Sequence, residues 1–241
     1  MIFLIFTIEL KKLGKIIGYI LGFVIVCYLL LLAIISNSSA VVNQGEKEYT
    51  LYVDPGHGGI DSGAVSDSGV IESEINRAIT DRMMLLCDFM SINCRSTVEG
   101  GTNADSREGY SERENLLSRA EVVNKDKSAV LISVHQNKYP NDLPRGAETM
   151  YSGTVGSKTL GTLIQDNLIS QLDNSNRRVA RPAPDNLLLT SSVNCPAVLV
   201  ECGFLSNPEE AEMLADSDYQ LKIAAVLIGS YIQFYEINTP V

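Results

Sequence analysis

The chain follows two hydrophobic patterns. Ile16 to Ile35 is an unbroken uncharged run of 20 residues, IIGYILGFVIVCYLLLLAII. At about 1.5 Å rise per residue it matches the roughly 30 Å hydrocarbon core of a bilayer. Lys11, Lys12 and Lys15 precede the run and SNSS follows it, so the positive-inside rule places the amino terminus in the cytoplasm and the remainder outside. The expected division is a cytoplasmic segment 1–15, a transmembrane or signal-anchor helix 16–35, a linker 36–48 and a folded domain 49–237. Ser38-Ser39-Ala40 offers a small-x-small pattern, and cleavage after Ala40 is the alternative. Twenty apolar residues exceed the usual h-region and favour a retained anchor.

Beyond Tyr49 the pattern alternates short β-like runs with amphipathic stretches of helical period. It predicts strands at 50–54, 92–97, 128–135, 148–151, 187–190 and 197–202. Helices are predicted at 71–90, 111–125 from a Ser-x-x-Glu capping box, and 157–172. A short helix opening at Asn207-Pro208 and a long one over 218–235 complete the set. No gap is long enough for an interdomain linker. The expected fold class is α/β: a single three-layer domain with a mostly parallel, mixed sheet of about six strands and helices on both faces, preceded by the N-terminal membrane helix. On the 71–90 helix, Ile71, Ile75, Ala78, Ile79, Leu86 and Phe89 form the expected buried stripe. Glu72 lies beside that stripe and Glu74 on the solvent side.

Charge changes the picture by exclusion. Among 241 residues, 29 acids outweigh 19 bases for a net −10, which leaves no basic footprint for neutralising phosphates and argues against nucleic acid as a partner. Without residues 1–40, three bases and one acid are lost and the remainder carries −12. Of five cysteines, Cys27 lies within the apolar run, and Cys87, Cys94, Cys195 and Cys202, without CxxC spacing, read as buried free thiols rather than a disulfide framework or zinc knot.

Histidine is scarcer still: there are two, His57 and His135. His57 follows the first strand in Asp54-Pro55-Gly56-His57-Gly58-Gly59, and His135 ends the apolar strand AVLISVH. Glu201 ends PAVLVE in the same way. The carboxyl edge of an open α/β sheet is where loops project ligand-binding side chains. Two histidines at strand ends, one set among glycines, form a candidate pair of metal ligands. A glutamate closing an apolar strand requires a cation, a metal-bound water or a hydrogen-bond network. Glu72 and Glu74 are candidates for a third ligand, and Asn76, one turn below Glu72, could orient its carboxylate.

From Thr50 to Tyr235 the chain resembles the zinc-dependent N-acetylmuramoyl-L-alanine amidases of the Amidase_3 family. The matching segments are LYVDPGHGG (51–59), Glu72 with Asn76, LLSRAEVVN (116–124), LISVHQN (131–137) and VLVECGFLSN (198–207). The resemblance implies one zinc ion bound by His57, Glu72 and His135, with Glu201 as the catalytic carboxylate. It also implies hydrolysis of the amide between N-acetylmuramic acid and L-alanine in peptidoglycan. Ser73 after Glu72 and Gln136 after the second histidine depart from the family's common residues, and neither removes a ligand. Arg119 is expected to be a structural ion-pair partner; Asn137 and Asn207 are read first as loop-turn residues. One membrane segment plus a bare domain resembles the germination-specific, spore-cortex branch, which prepares muramic-δ-lactam formation. A possible exported accessory protein is expected to position or activate the enzyme. The alternatives are a zinc peptidase acting within the stem peptide, a septal or autolytic wall amidase, and a wall-binding protein without activity.

Overall fold

The computed structural model describes residues 49–98 and 111–238, together with Tyr19, Gly22, Phe23, Ile25 and Tyr28, which are helical. The expected membrane helix over 16–35 otherwise lies outside the described residues, as do the flanking segments 1–15 and 36–48 and the polar loop around 100–110. Among the described residues no helix is long and apolar enough to cross a membrane.

Six strands form one sheet: β1 Thr50–Pro55, β2 Cys94–Ser96, β3 Ala129–Asn137, β4 Glu148–Tyr151, β5 Arg181–Pro182 and β6 Ala197–Phe204, in the order β2-β1-β3-β6-β4-β5. The β2, β1, β3 and β6 pairings are parallel; β4 runs antiparallel to β6 and parallel to β5. The helices are α1 Glu72–Phe89, α2 Glu112–Asn124, α3 Ser157–Gln171, α4 Leu188–Ser192, α5 Pro208–Ala215 and α6 Ser217–Asn238.

The period-two alternation of each central strand sorts its side chains onto two cores. Leu51, Val53, Val130, Ile132, Val134, Val198 and Val200 pack with residues of α1, α3, α5 and α6. Tyr52, Ala129, Leu131 and Ala197 face the opposite way, onto Ala120 and Val123 of α2 and Leu189 of α4. The result is the expected three-layer α/β domain with a six-stranded mixed sheet.

Two elements differ from expectation. Residues 187–190 are not a strand but the start of α4; the sixth strand is instead Arg181–Pro182. Leu187-Leu188-Leu189-Thr190 is an apolar run too short for its period to separate strand from helix. On α1 the buried stripe is Glu72, Ile75, Asn76, Ile79, Thr80, Met83 and Cys87. Phe89, expected in the stripe, is 88% exposed. The stripe is thus rotated toward the polar residues Glu72 and Asn76. Cys87, Cys195 and Cys202 are buried and Cys94 half-buried, all as free thiols.

Two helix starts follow their local chemistry. Asn207 caps α5 by accepting from the Glu210 backbone N–H, with Pro208 in the first turn, and Ser111 caps α2 through the Glu114 N–H. No side chain caps α1. Its first N–H groups donate instead to loop carbonyls, Glu72 to Ala64 (2.9 Å) and Ser73 to Ser62 (3.1 Å), which ties the helix to the glycine-rich loop after β1.

Candidate metal centre

Parallel pairing sets β1, β3 and β6 side by side so that their carboxyl ends share one edge. His57 follows the end of β1, and His135 and Glu201 are direct register partners on β3 and β6. Glu72 enters from the first turn of α1. The ligand atoms of His57, Glu72 and His135 all lie within 4.8 Å of one another. The Glu72 Oε1 atom is 3.4 Å from His57 Nε2 and 3.1 Å from His135 Nδ1, and the imidazole centroids are 5.0 Å apart. Glu74 is exposed and takes no part.

Glu72 is fixed on all sides. Its Oε1 accepts from the Gln136 backbone N–H (3.0 Å) and the Asn76 amide (3.3 Å), and its Oε2 from the Ala64 N–H (2.8 Å). The Asn76 amide also donates to the Gly56 carbonyl, and its oxygen accepts from the Gln136 side chain. Asn76 therefore performs the expected orienting task, and Gln136 extends it. Burial opposes the Glu72 charge, but the hydrogen bonds and charges of His135 and His57 outweigh it and hold the carboxyl well below the ordinary range.

His57 occupies the left-handed region, φ 62°, an uncommon conformation for a residue with a side chain. Its Nδ1 bonds Asp61 Oδ2 at 2.8 Å, leaving Nε2 toward Glu72. Burial lowers the imidazole pKa, yet Glu72 and then Asp61 more than reverse this and raise it to about 9. Asp61 was not among the expected site residues. A carboxylate that fixes the outward nitrogen of a metal-binding histidine is a recurring device, and an aspartate four residues after His57 in the same loop was the available signal.

From the opposite side, Arg119 anchors this backbone. It is buried, pairs with Asp54 at 3.1 Å, and donates to the carbonyls of Pro55 (2.7 Å) and His57 (3.0 Å). Asp54 also accepts from Thr97 and Ser133. Burial would raise its carboxyl, but Arg119 and the two hydroxyls hold it below the ordinary value. Arg119 is thus the structural ion-pair partner anticipated. Asn207 caps α5, as a loop-turn residue should, whereas Asn137 is not in a loop but ends β3, paired with Phe204, its carbonyl accepting from the Leu205 N–H.

Two glycines are required by close approach. A Cβ on Gly56 would lie 2.3 Å from the His135 ring. One on Gly63, at φ +65°, would lie 2.6 Å from Glu72 Oε2 and 2.7 Å from the His57 ring.

Glu201 stands one strand from the ligands. Its Oε2 is buried without a hydrogen-bond partner among the described residues. Burial, with Glu72 and Glu148 adding to it against the opposing pull of His135 and His57, pushes the carboxyl up to about 7. A group poised there exchanges a proton readily near neutral pH.

A two-histidine, one-carboxylate cluster beside a perturbed carboxyl, at the carboxyl edge of a three-layer α/β sheet, has the donor set of a hydrolytic metal centre. The comparison with known proteins narrows this class. Residues 51–230 match the family model described as N-acetylmuramoyl-L-alanine amidase, and the chain belongs to that family. It is a hydrolase of the amide between N-acetylmuramic acid and L-alanine in peptidoglycan. The germination-specific N-acetylmuramoyl-L-alanine amidase of Bacillus subtilis is 29% identical over 235 residues, covering 94% of this chain and 97% of that one. The CwlD amidase of Clostridioides difficile, solved in complex with the GerS lipoprotein, superposes with a TM-score of 0.73 at 32% identity, covering 79% of this chain and all of that one. The amidase LytC of Bacillus subtilis is 31% identical over 192 residues, but that match spans 35% of its length.

Proposed function

We propose that His57, Glu72 and His135 hold a single zinc ion and that Glu201 is the proton-transfer group of the amidase reaction. The observation that carries this is the convergence of three ligand atoms within 4.8 Å, with the orphaned Glu201 carboxyl on the neighbouring strand. Two imidazole nitrogens and one carboxylate oxygen suit zinc, and three protein ligands leave room for substrate or water. When bound, zinc supplies Lewis acidity for the scissile carbonyl and the attacking water. Asp61 fixes the His57 tautomer through Nδ1, and Asn76 and the Gln136 N–H keep Glu72 in its rotamer. Glu201, near neutrality, accepts the water proton and returns it to the departing alanine amine.

Removing one ligand tests the metal assignment. His57→Ala and His135→Ala should each lose stoichiometric zinc after dialysis, measured by elemental analysis; full occupancy in either would sink the site. Muropeptides digested by the native chain should release intact stem peptides. Shortened stems would instead indicate a peptidase, and unchanged material a binder.

The physiological reading is the spore cortex, where removal of stem peptides precedes muramic-δ-lactam formation. It rests on the near full-length match to a germination-specific relative. Cortex from a deletion strain should lack the lactam, and unchanged lactam content would favour a septal or autolytic role. The reading of an N-terminal anchor over 16–35 holding an exported domain over 49–237 rests on the 20-residue uncharged run and the three lysines before it. Mass spectrometry of the native amino terminus distinguishes anchor from cleavage after Ala40. An exported lipoprotein is the expected partner, since a similar amidase was solved with one. Pull-down of the tagged chain from sporulating cells with nothing enriched would count against it.

A further inference from the structure

Across the carboxyl edge of the sheet, His135, Glu201 and Glu148 are successive register partners on β3, β6 and β4. They form one row on one sheet face. Because β4 runs antiparallel, it is its first residue that joins this edge. On the far side of Glu148, two arginines converge on its carboxylate. Arg181 Nη2 lies 3.0 Å from Oε2, and Arg178 Nη1 lies 3.6 Å from Oε1. The Glu148 side chain is 12% exposed and that of Arg181 44%. Arg178 is further held by its Nε donating to the Arg145 carbonyl and by its guanidinium lying 4.6 Å over the Phe204 ring.

A single cation would balance Glu148; here there are two. Arg181 directs Nη2 to Glu148, and its Nε and Nη1 form no hydrogen bond among the described residues. With the side chain 44% exposed, guanidinium donors not taken up by Glu148 remain available, on a fork oriented by that carboxylate. That geometry suits a second, external carboxylate. The rest of the chain is acidic, net −10, and would repel an anionic peptide elsewhere.

Strand spacing sets the reach. Neighbouring strands lie about 4.8 Å apart, and Arg181 on β5 is two strands from Glu201 on β6 with Glu148 on the strand between, so its guanidinium lies within about the span of two residues of extended peptide. In a stem peptide whose first alanine supplies the reacting amide, the second residue is joined through its γ-carboxyl and leaves its α-carboxylate free. We propose that Arg181, assisted by Arg178, binds this α-carboxylate and that the protein thereby prefers stems with a free acid over stems amidated at that position. The proposal rests on the stem-peptide amidase reading.

The test uses the full chain in detergent with two synthetic ligands, L-alanyl-γ-D-glutamate and its α-amide, titrated by calorimetry. Muropeptides carrying the same two stems are assayed alongside. The acid should bind about tenfold more tightly than the amide, as expected of an exposed charge-assisted pair. Arg181→Ala and, separately, Arg178→Ala should erase or reduce that preference, and Arg181→Lys should restore part of it. With acid muropeptides, Arg181→Ala should raise KM about tenfold and leave kcat within about threefold. Equal affinity of the native chain for acid and amide overturns the subsite even where stem peptides are released. Acid preference without stem release would refute the amidase reading and leave the subsite standing.

Discussion

Glu201 is held protonated further up the pH scale than an unfolded chain would allow, and stability must register this. Its carboxyl moves from 4.5 to about 7 on folding. Between those values the native protein keeps a proton that the unfolded chain releases, so stability falls as pH rises through the window, by on the order of 3 kcal/mol. Metal-free Glu201→Gln should therefore melt several degrees above the metal-free native chain at pH 8 and level with it at pH 4. The same variant should retain zinc and lose about 10²–10⁴ in turnover. Equal melting at pH 8 would mean that Glu201 is solvated. His57 is also shifted upward, by Glu72 and Asp61: with a pKa of about 9, its ring carries a proton at neutrality that a metal must displace. Zinc affinity, measured by chelator competition, should climb about tenfold per pH unit from pH 6.5 toward 9. Asp61→Asn should weaken that affinity by about 10–100-fold.

Helix α1 and its preceding loop form the element on which the site depends. The amino end of α1 is tied by Ala64, whose carbonyl accepts from the Glu72 N–H while its own N–H donates to the Glu72 carboxylate. Gly63→Ala would disturb this clasp, through its φ and through contact with both ligands. It should abolish metal binding while circular dichroism stays native, because the sheet core lies elsewhere. Arg119→Ala strands Asp54 as a buried charge and should cost about 3–5 kcal/mol in denaturant unfolding. Much of this element was legible beforehand. Helical period placed Glu72 beside the buried face and Glu74 away from it, and strand ends marked His57, His135 and Glu201. The Asp61 contact was signalled only by its four-residue spacing from His57, because its geometry depends on the left-handed turn there. The approach of Glu148, Arg178 and Arg181 was not legible, because nothing in four residues of strand-like sequence reveals that β4 runs backwards. Leu187 to Thr190 misled for a related reason, being apolar over a length that suits either a strand or one turn of helix.

At the scale of the molecule, charge and topology set different limits. The chain's net −10 predicts that sedimentation with purified sacculi will not weaken as salt rises from 50 to 500 mM; release by salt would reveal a basic wall-binding face. Topology governs how the site can change over generations. His135 and Glu201 meet only because β3 and β6 pair in one register, with Val200 and Cys202 on either side of Glu201 committed to the opposite core. A one-residue insertion or deletion within β6 would turn Glu201 into the layer of α1, α3, α5 and α6 and bring an aliphatic or thiol side chain beside His135. No intermediate position exists. Descendants of this scaffold can retune Glu201 by altering what surrounds it, but they cannot move it by small steps along its own strand, so reading-frame-preserving indels should be purged from 197–204 while accumulating in the loops that border the site.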